Sequence, residues 1–192
     1  NTTNSAISGT ITVTPTANGC SGSNQTATIT VNPTPALSST LSPAAICSGT
    51  TFSYTATSST VAATGSTVIT WSRAAVAGIT ETATTGSGNV SEVLTNTTNA
   101  AINVTYVYTI TSNGCSATND VVVSVKPTPT VDAISAQTLC TGVTSTAITF
   151  ASTFNVTGTT YAWSNSNTSI GLAASGTTSV PTFTATNTTN SA

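Results

Sequence analysis

The sequence predicts an all-β protein, tandem β-sandwiches arranged in a linear rod, and three observations lead there. β-branched residues alternate with a period of two. Asn-Gly pairs sit between the alternating runs. Short motifs recur at intervals of 91 to 95 residues.

The alternation is clearest in Thr10-Ile11-Thr12-Val13-Thr14 and in Thr26-Ala27-Thr28-Ile29-Thr30-Val31. Such runs fit a pleated, half-buried surface with Thr outward and Val or Ile inward. Low charge with abundant Ser, Thr and Gly would also suit a disordered linker, but disorder goes with few β-branched residues. The chain is expected to be ordered.

The recurrence is open to direct reading. Asn-Thr-Thr-Asn begins at Asn1, Asn96 and Asn187; Asn-Gly-Cys at Asn18 and Asn113; Pro-Thr-Pro at Pro33 and Pro127; Cys-x-Gly at Cys47 and Cys140; Trp-Ser at Trp71 and Trp163. One interval is the size of one small sandwich domain. Residues 1–6 and 187–192 are both NTTNSA, so the longer period is a pair of domains. Three parts are expected: the C-terminal strands of a preceding repeat over 1–35, a complete repeat over 36–126, and a linker with the N-terminal strands of a following repeat over 127–192. Edges and half-cores left bare by such a division call for a neighbour.

Within 36–126, strands are predicted at 51–56, 67–73, 91–95, 103–111 and 121–125. Asn113-Gly114 joins the last two as a hairpin, because both residues accept positive φ. Tyr106, Tyr108 and Ile110 then share one face, with Thr105, Val107 and Thr109 on the other. Trp71 and Trp163 are predicted core anchors, with Tyr106 and Tyr108 beside them. Pro33 and Pro35, like Pro127 and Pro129, follow a last strand. Lacking the donor that a ladder needs, they should form short semi-rigid spacers.

Composition excludes most chemistry. Arg73 and Lys126 are the whole basic complement and Glu81, Glu92, Asp120 and Asp132 the acidic one, with no histidine. Two cations cannot form a phosphate-binding patch, so nucleic acid is not an expected partner. Calcium wants several carboxylates among six to eight oxygens, which four scattered acids do not supply. With no acid pair, nucleophile-base pair or phosphate loop, no enzyme, metal or cofactor is expected. No run of apolar residues is long enough to span a membrane, and the start lacks a signal-peptide layout. The sequons at Asn24, Asn89, Asn103 and Asn155 are common by chance in an Asn- and Thr-rich chain.

The four cysteines occupy two kinds of position. Cys20 and Cys115 follow the Asn-Gly tips, and Cys47 and Cys140 fall at the turn between the first two strands. No Cys-x-x-Cys pair suggests zinc, so disulfides and an oxidising location are the reading. Two pairings stay open: Cys47 with Cys115 inside the domain, or Cys20, Cys47, Cys115 and Cys140 each to a neighbouring repeat.

Cys-x-Gly, then Tyr161-Ala162-Trp163-Ser164, then Asn-Gly-Cys and a closing Val-x-Pro-Thr-Pro resemble the PKD-like, immunoglobulin-like repeats of Bacteroidota cell-surface proteins, gliding adhesins among them. The resemblance runs over essentially the whole chain. It implies structural stalk repeats of a long extracellular filament in gliding and attachment, exported by type IX secretion. It also implies adjacent repeats as partners, with surface polysaccharide a further possible one. The alternative is a carbohydrate- or ice-binding module of another exported surface protein, using exposed aromatics or flat Thr ladders such as Thr10, Thr12 and Thr14.

Overall fold

A computed structural model describes residues 1–60 and 67–189. The last three residues of the second NTTNSA therefore lie outside the described residues. The chain divides into two compact units, one formed by Asn1–Thr97 with Ala101–Lys126, the other by Thr98–Ala100 with Pro127–Ala192.

The first unit opens with a hairpin: β1 (Ile7–Val13), the short β2 (Thr16–Ala17) and β3 (Cys20–Ser21) at its tip, and β4 (Gln25–Val31). β1 and β4 pair antiparallel from Ile7 opposite Val31 to Val13 opposite Gln25. At the tip Asn18 and Gly19 take φ of 50° and 79°, the left-handed pair that a tight hairpin turn demands.

A sandwich follows, built from β5 (Ile46–Cys47), β6 (Thr50–Tyr54), β7 (Val68–Arg73), β8 (Thr84–Ser87), β9 (Val90–Leu94), β10 (Ile102–Ser112) and β11 (Cys115–Lys126). One sheet has the order β5-β11-β10-β7-β8, and β6 with β9 form the facing layer. All of these pairs are antiparallel except β5 with β11. The segment leading into β5 also follows β11: Leu37 N donates to Asn119 Oδ1 at 3.0 Å, and Val122 N donates to Leu41 O at 2.9 Å.

The core lies between the two layers, and the period-two pattern decides its members. Val104, Tyr106, Tyr108 and Ile110 of β10, with Val121, Val123 and Val125 of β11, meet Phe52, Tyr54, Val90 and Leu94 of β6 and β9. The Phe52 and Tyr106 rings lie 5.3 Å apart, and those of Tyr54 and Tyr108 5.5 Å apart. Each such side chain contributes on the order of 2 kcal/mol through removal from water.

Two expectations need correction. Trp71 is half-buried at the rim of the core, with its ring edge-on to Tyr106 at 5.6 Å. Trp71 stands on β7, next to the outermost strand β8 of the five-stranded sheet, and among the described residues the facing layer has two strands. Pro33 and Pro35 are no free spacer either: both are buried, Pro35 almost completely. Between them and β4, Asn32 Nδ2 donates to Asn113 O at 2.7 Å, tying this linker to the tip of the β10–β11 hairpin. In the second linker, Pro127 is half-buried and Pro129 exposed.

The second unit contains β12 (Ile148–Thr149), β13 (Ala162–Ser164), a 3-10 turn (Thr168–Ile170), β14 (Ser175–Thr177) and β15 (Ser179–Val180). β12 pairs with β15 and β13 with β14. Trp163 faces Gly176 across β13 and β14 as Trp71 faces Gly86 across β7 and β8. In both places the indole lies where a glycine Cβ would be, with the nearest ring carbon at 2.6 and 2.4 Å. Half-buried Trp163 adds a bond from Nε1 to Ser179 O at 2.9 Å.

Candidate functional site

The two hairpins of the first unit are the same object in two settings. Counting from the shared Asn-Gly tip and the shared Val-x-Pro-Thr-Pro end, Ile7 corresponds to Ile102, Ile11 to Tyr106, Val13 to Tyr108, Ile29 to Val123 and Val31 to Val125. The registers agree: Ile7 opposes Val31 as Ile102 opposes Val125, and Ile11 opposes Ala27 as Tyr106 opposes Val121. Even the closing polar contact is shared. Asn1 Nδ2 donates to Val31 O at 2.8 Å, and Asn96 Nδ2 to Val125 O at 2.9 Å.

Their burial is opposite. Tyr106, Tyr108, Val123 and Val125 are wholly buried, whereas Ile7, Ile11, Val13, Ile29 and Val31 stand 46–59% exposed. Every residue of β1 and β4 is exposed. A two-stranded hairpin is at best marginally stable alone. This bare apolar face is the most distinctive surface of the chain.

The second unit carries the converse feature. Its inner face is an open apolar groove lined by Ile148, Phe150, Trp163, Leu172, Val180 and Phe183. Ile148 opposes Val180 as Tyr54 opposes Val90 in the first unit. No strand pair corresponding to β10 and β11 stands over it among the described residues.

A charged cluster that the sequence did not reveal crosses the complete sandwich. The Arg73 side chain is fully buried, and its Nε donates to Glu92 Oε2 at 3.0 Å while Nη2 donates to Glu92 Oε1. Its remaining donors reach the carbonyls of Ala74, Glu81 and Thr82, and Tyr106 donates its hydroxyl to Glu92 Oε2 at 2.6 Å. The bond to Glu92 raises the Arg73 pKa against the opposing effect of burial. Burial first, then the bond to Glu92, pushes the Tyr106 hydroxyl well above its usual range. With Arg73 on β7, Tyr106 on β10 and Glu92 on β9, the cluster pins one sheet to the other. A cation whose donors are all engaged on protein atoms is a structural pin rather than a reactive centre.

Glu81 lies beside it. Burial alone would raise its carboxyl pKa, but the backbone N–H of Thr95 and the hydroxyl of Thr80 bond the ionised form and lower it. Among the described residues no group of three or more His, Cys, Asp or Glu side chains could hold a metal ion.

All four thiols are free. The in-domain pairing of Cys47 with Cys115 is excluded by distance. Cys47 lies in register with Lys126 at the far end of β11, whereas Cys115 begins that strand. Eleven residues of strand separate the two positions by about 36 Å, while a disulfide tolerates a Cα separation of about 7 Å.

The outer face of the large sheet carries one row of hydroxyls, Ser87–Thr70–Thr109–Thr118, running across four strands. The adjoining row, Thr85–Ser72–Val107–Asp120, is mixed. The flat array of aligned Thr ladders expected of an ice-binding face is therefore not formed by these two rows.

Among the described residues no helix is long and apolar enough to cross a membrane, which leaves strands out of account. No curated protein sequence matches the chain. Residues 44–129 match the family model of the PKD-like domain, a span that takes in β5 to β11, so the chain carries an all-β sandwich of PKD-like type.

Proposed function

We propose that the chain is a stretch of structural stalk repeats from a long extracellular filament, a surface adhesin used in attachment and gliding by a bacterium of the Bacteroidota kind. PKD-like domains are typically extracellular. The observation that carries the reading is the recurrence of one hairpin, Ile7–Val31 and Ile102–Val125, in the same register and with the same Asn clasp. The work of such repeats is mechanical: they hold a distal tip away from the cell or pass on the drag between tip and motor. Their partners are the adjacent repeats, and no catalytic step is assigned to them. Export by type IX secretion follows from the same resemblance.

The remaining use of the thiols is between repeats. Asn32 is the counterpart of Lys126, so a preceding repeat would set its own first-turn cysteine beside Asn32. That position is bonded to Asn113, two residues from Cys115. Oxidation there removes two protons and two electrons from a thiol pair and passes them to a disulfide of an exported thiol oxidant.

Electron microscopy of the native object tests the reading. The twelve-residue β11 is about 40 Å long, so two domains should give an axial repeat of about 80 Å along a filament; a compact particle would refute it. Non-reducing peptide maps should join a first-turn cysteine to an Asn-Gly-Cys cysteine of the next repeat. Freely alkylated thiols in the oxidised native filament would remove the staple while leaving the stalk.

A further inference from the structure

We infer that the bare hairpin and the open groove are the two halves of one interface. The hairpin Ile7–Val31 of a second copy of this chain docks on the inner face of the 127–189 half-sandwich and completes it, as β10 and β11 complete the sandwich over 36–126. This rests on the reading of the chain as part of a repeated array.

The occupant is named by the molecule itself. In the finished sandwich the place beside β7 and over β6 and β9 is filled by a hairpin with an Asn-Gly tip, an apolar inner face and a Val-x-Pro-Thr-Pro end. Ile7–Val31 is a hairpin of that kind whose apolar face is exposed. The groove of the second unit has the matching floor: a Trp on a strand beside a Gly-bearing strand, and Ile148 opposite Val180.

The register is set by the Asn-Thr-Thr-Asn segments. Ser48 Oγ donates to Asn96 O at 3.2 Å, and Thr141 Oγ1 donates to Asn187 O at 3.3 Å, so Asn187 is seated in the second unit as Asn96 is in the first. Asn1 and Asn187 also fold the same local turn. Each Oδ1 accepts from the N–H and the hydroxyl of the Thr two residues on, at 2.9 and 2.8 Å for Thr3 and at 2.9 and 2.7 Å for Thr189. On docking, Asn187 takes over from Asn1 the bond to the carbonyl of the incoming Val31. Trp71 opposes Tyr108 in the finished sandwich. Val13 of the incoming β1 therefore comes opposite Trp163, on the edge of β13 away from β14.

Two forms of the protein test this. The chain itself should associate head to tail, with a mass by light scattering that rises with concentration, because the two surfaces differ and each copy carries both. Ile11→Asp should reduce that association at least tenfold without changing the thermal unfolding of the 36–126 sandwich. A circular permutant, residues 36–186 followed directly by 1–35, keeps the native sequence across its new joint because both ends read NTTNSA. It should be monomeric, and the amides of β13 should exchange with deuterium at least a hundredfold more slowly than in the parent chain.

A parent chain that stays monomeric up to millimolar concentration would overturn the inference. So would a permutant whose β13 exchanges as fast as in the parent. Either result would leave the filament to be decided by microscopy, so the docking and the stalk fail separately.

Discussion

The two hairpins of the first unit share a turn, a register, an Asn clasp and a Pro-containing exit, and they differ in what covers them. Strand pairing and tip geometry are local properties, written in the alternation and in Asn-Gly. Burial is conferred by the partner layer. Tyr106 is buried because Phe52 lies over it, and Ile11 is exposed because no described residue covers it.

The sharpest way to break this comparison is to truncate both positions. Tyr106→Ala should cost about 3–5 kcal/mol in urea unfolding followed by Trp fluorescence. Ile11→Ala in the dilute chain should cost less than about 0.5 kcal/mol, as at an ordinary surface site. Equal costs would mean that the first hairpin is covered after all.

The pin between the sheets should weigh nearly as much. Glu92→Ala strands a fully buried guanidinium and should cost about 3–5 kcal/mol. Replacing both partners, as Arg73→Met with Glu92→Leu, should recover most of that loss, because the stranded charge is gone. A double variant no more stable than Glu92→Ala would show that the pin is needed for more than its own charge balance.

A smaller effect compares the two units. Gly86→Ala would place a Cβ 2.4 Å from a ring carbon of Trp71, and Gly176→Ala one 2.6 Å from Trp163. Overpacking of this kind should cost about 1–3 kcal/mol at each site, read as separate shifts in melting temperature. A tolerated alanine at one site alone would show that its Trp can move aside.

The smallest concerns Tyr108, whose buried hydroxyl has no partner among the described residues. Burial, with the nearby Tyr54 adding to it, pushes its pKa up to about 12. Burial disfavours the ionised form in the folded chain, so the fold is unaffected by this group below the unfolded pKa of about 10 and loses stability as the pH rises from there to about 12. Tyr108→Phe should raise stability by up to about 1 kcal/mol near neutrality. It should also flatten the alkaline limb of a pH titration followed by circular dichroism.

The β character, the Asn-Gly tips and the shared face of Tyr106, Tyr108 and Ile110 could be read from the sequence because each depends on residues close together along the chain. The Arg73–Glu92–Tyr106 cluster could not be. Its members lie on three strands, and single charges in a chain nearly empty of charge form no motif. A useful signal was present nonetheless: a lone Arg inside an alternating strand, on the same face as Trp71, must either find a carboxylate or leave the core. The seating of Pro33 and Pro35 was hidden for another reason. Proline dictates an extended backbone but not whether a neighbouring surface receives it.

The parallel course of the entering segment beside β11 has a consequence for a molecule under tension. The chain enters the sandwich near Asn113 and leaves it after Lys126, at the other end of β11. Between those points Leu37, Leu41, Ile46 and Ser48 are bonded to or paired with successive positions along β11. A pull on the two ends slides these elements past each other, so the bonds are loaded in shear and must yield together. In an antiparallel hairpin pulled from its open end they would peel one at a time. The Leu37–Ser48 segment is therefore the clamp that sets how much force one bead withstands before it unravels.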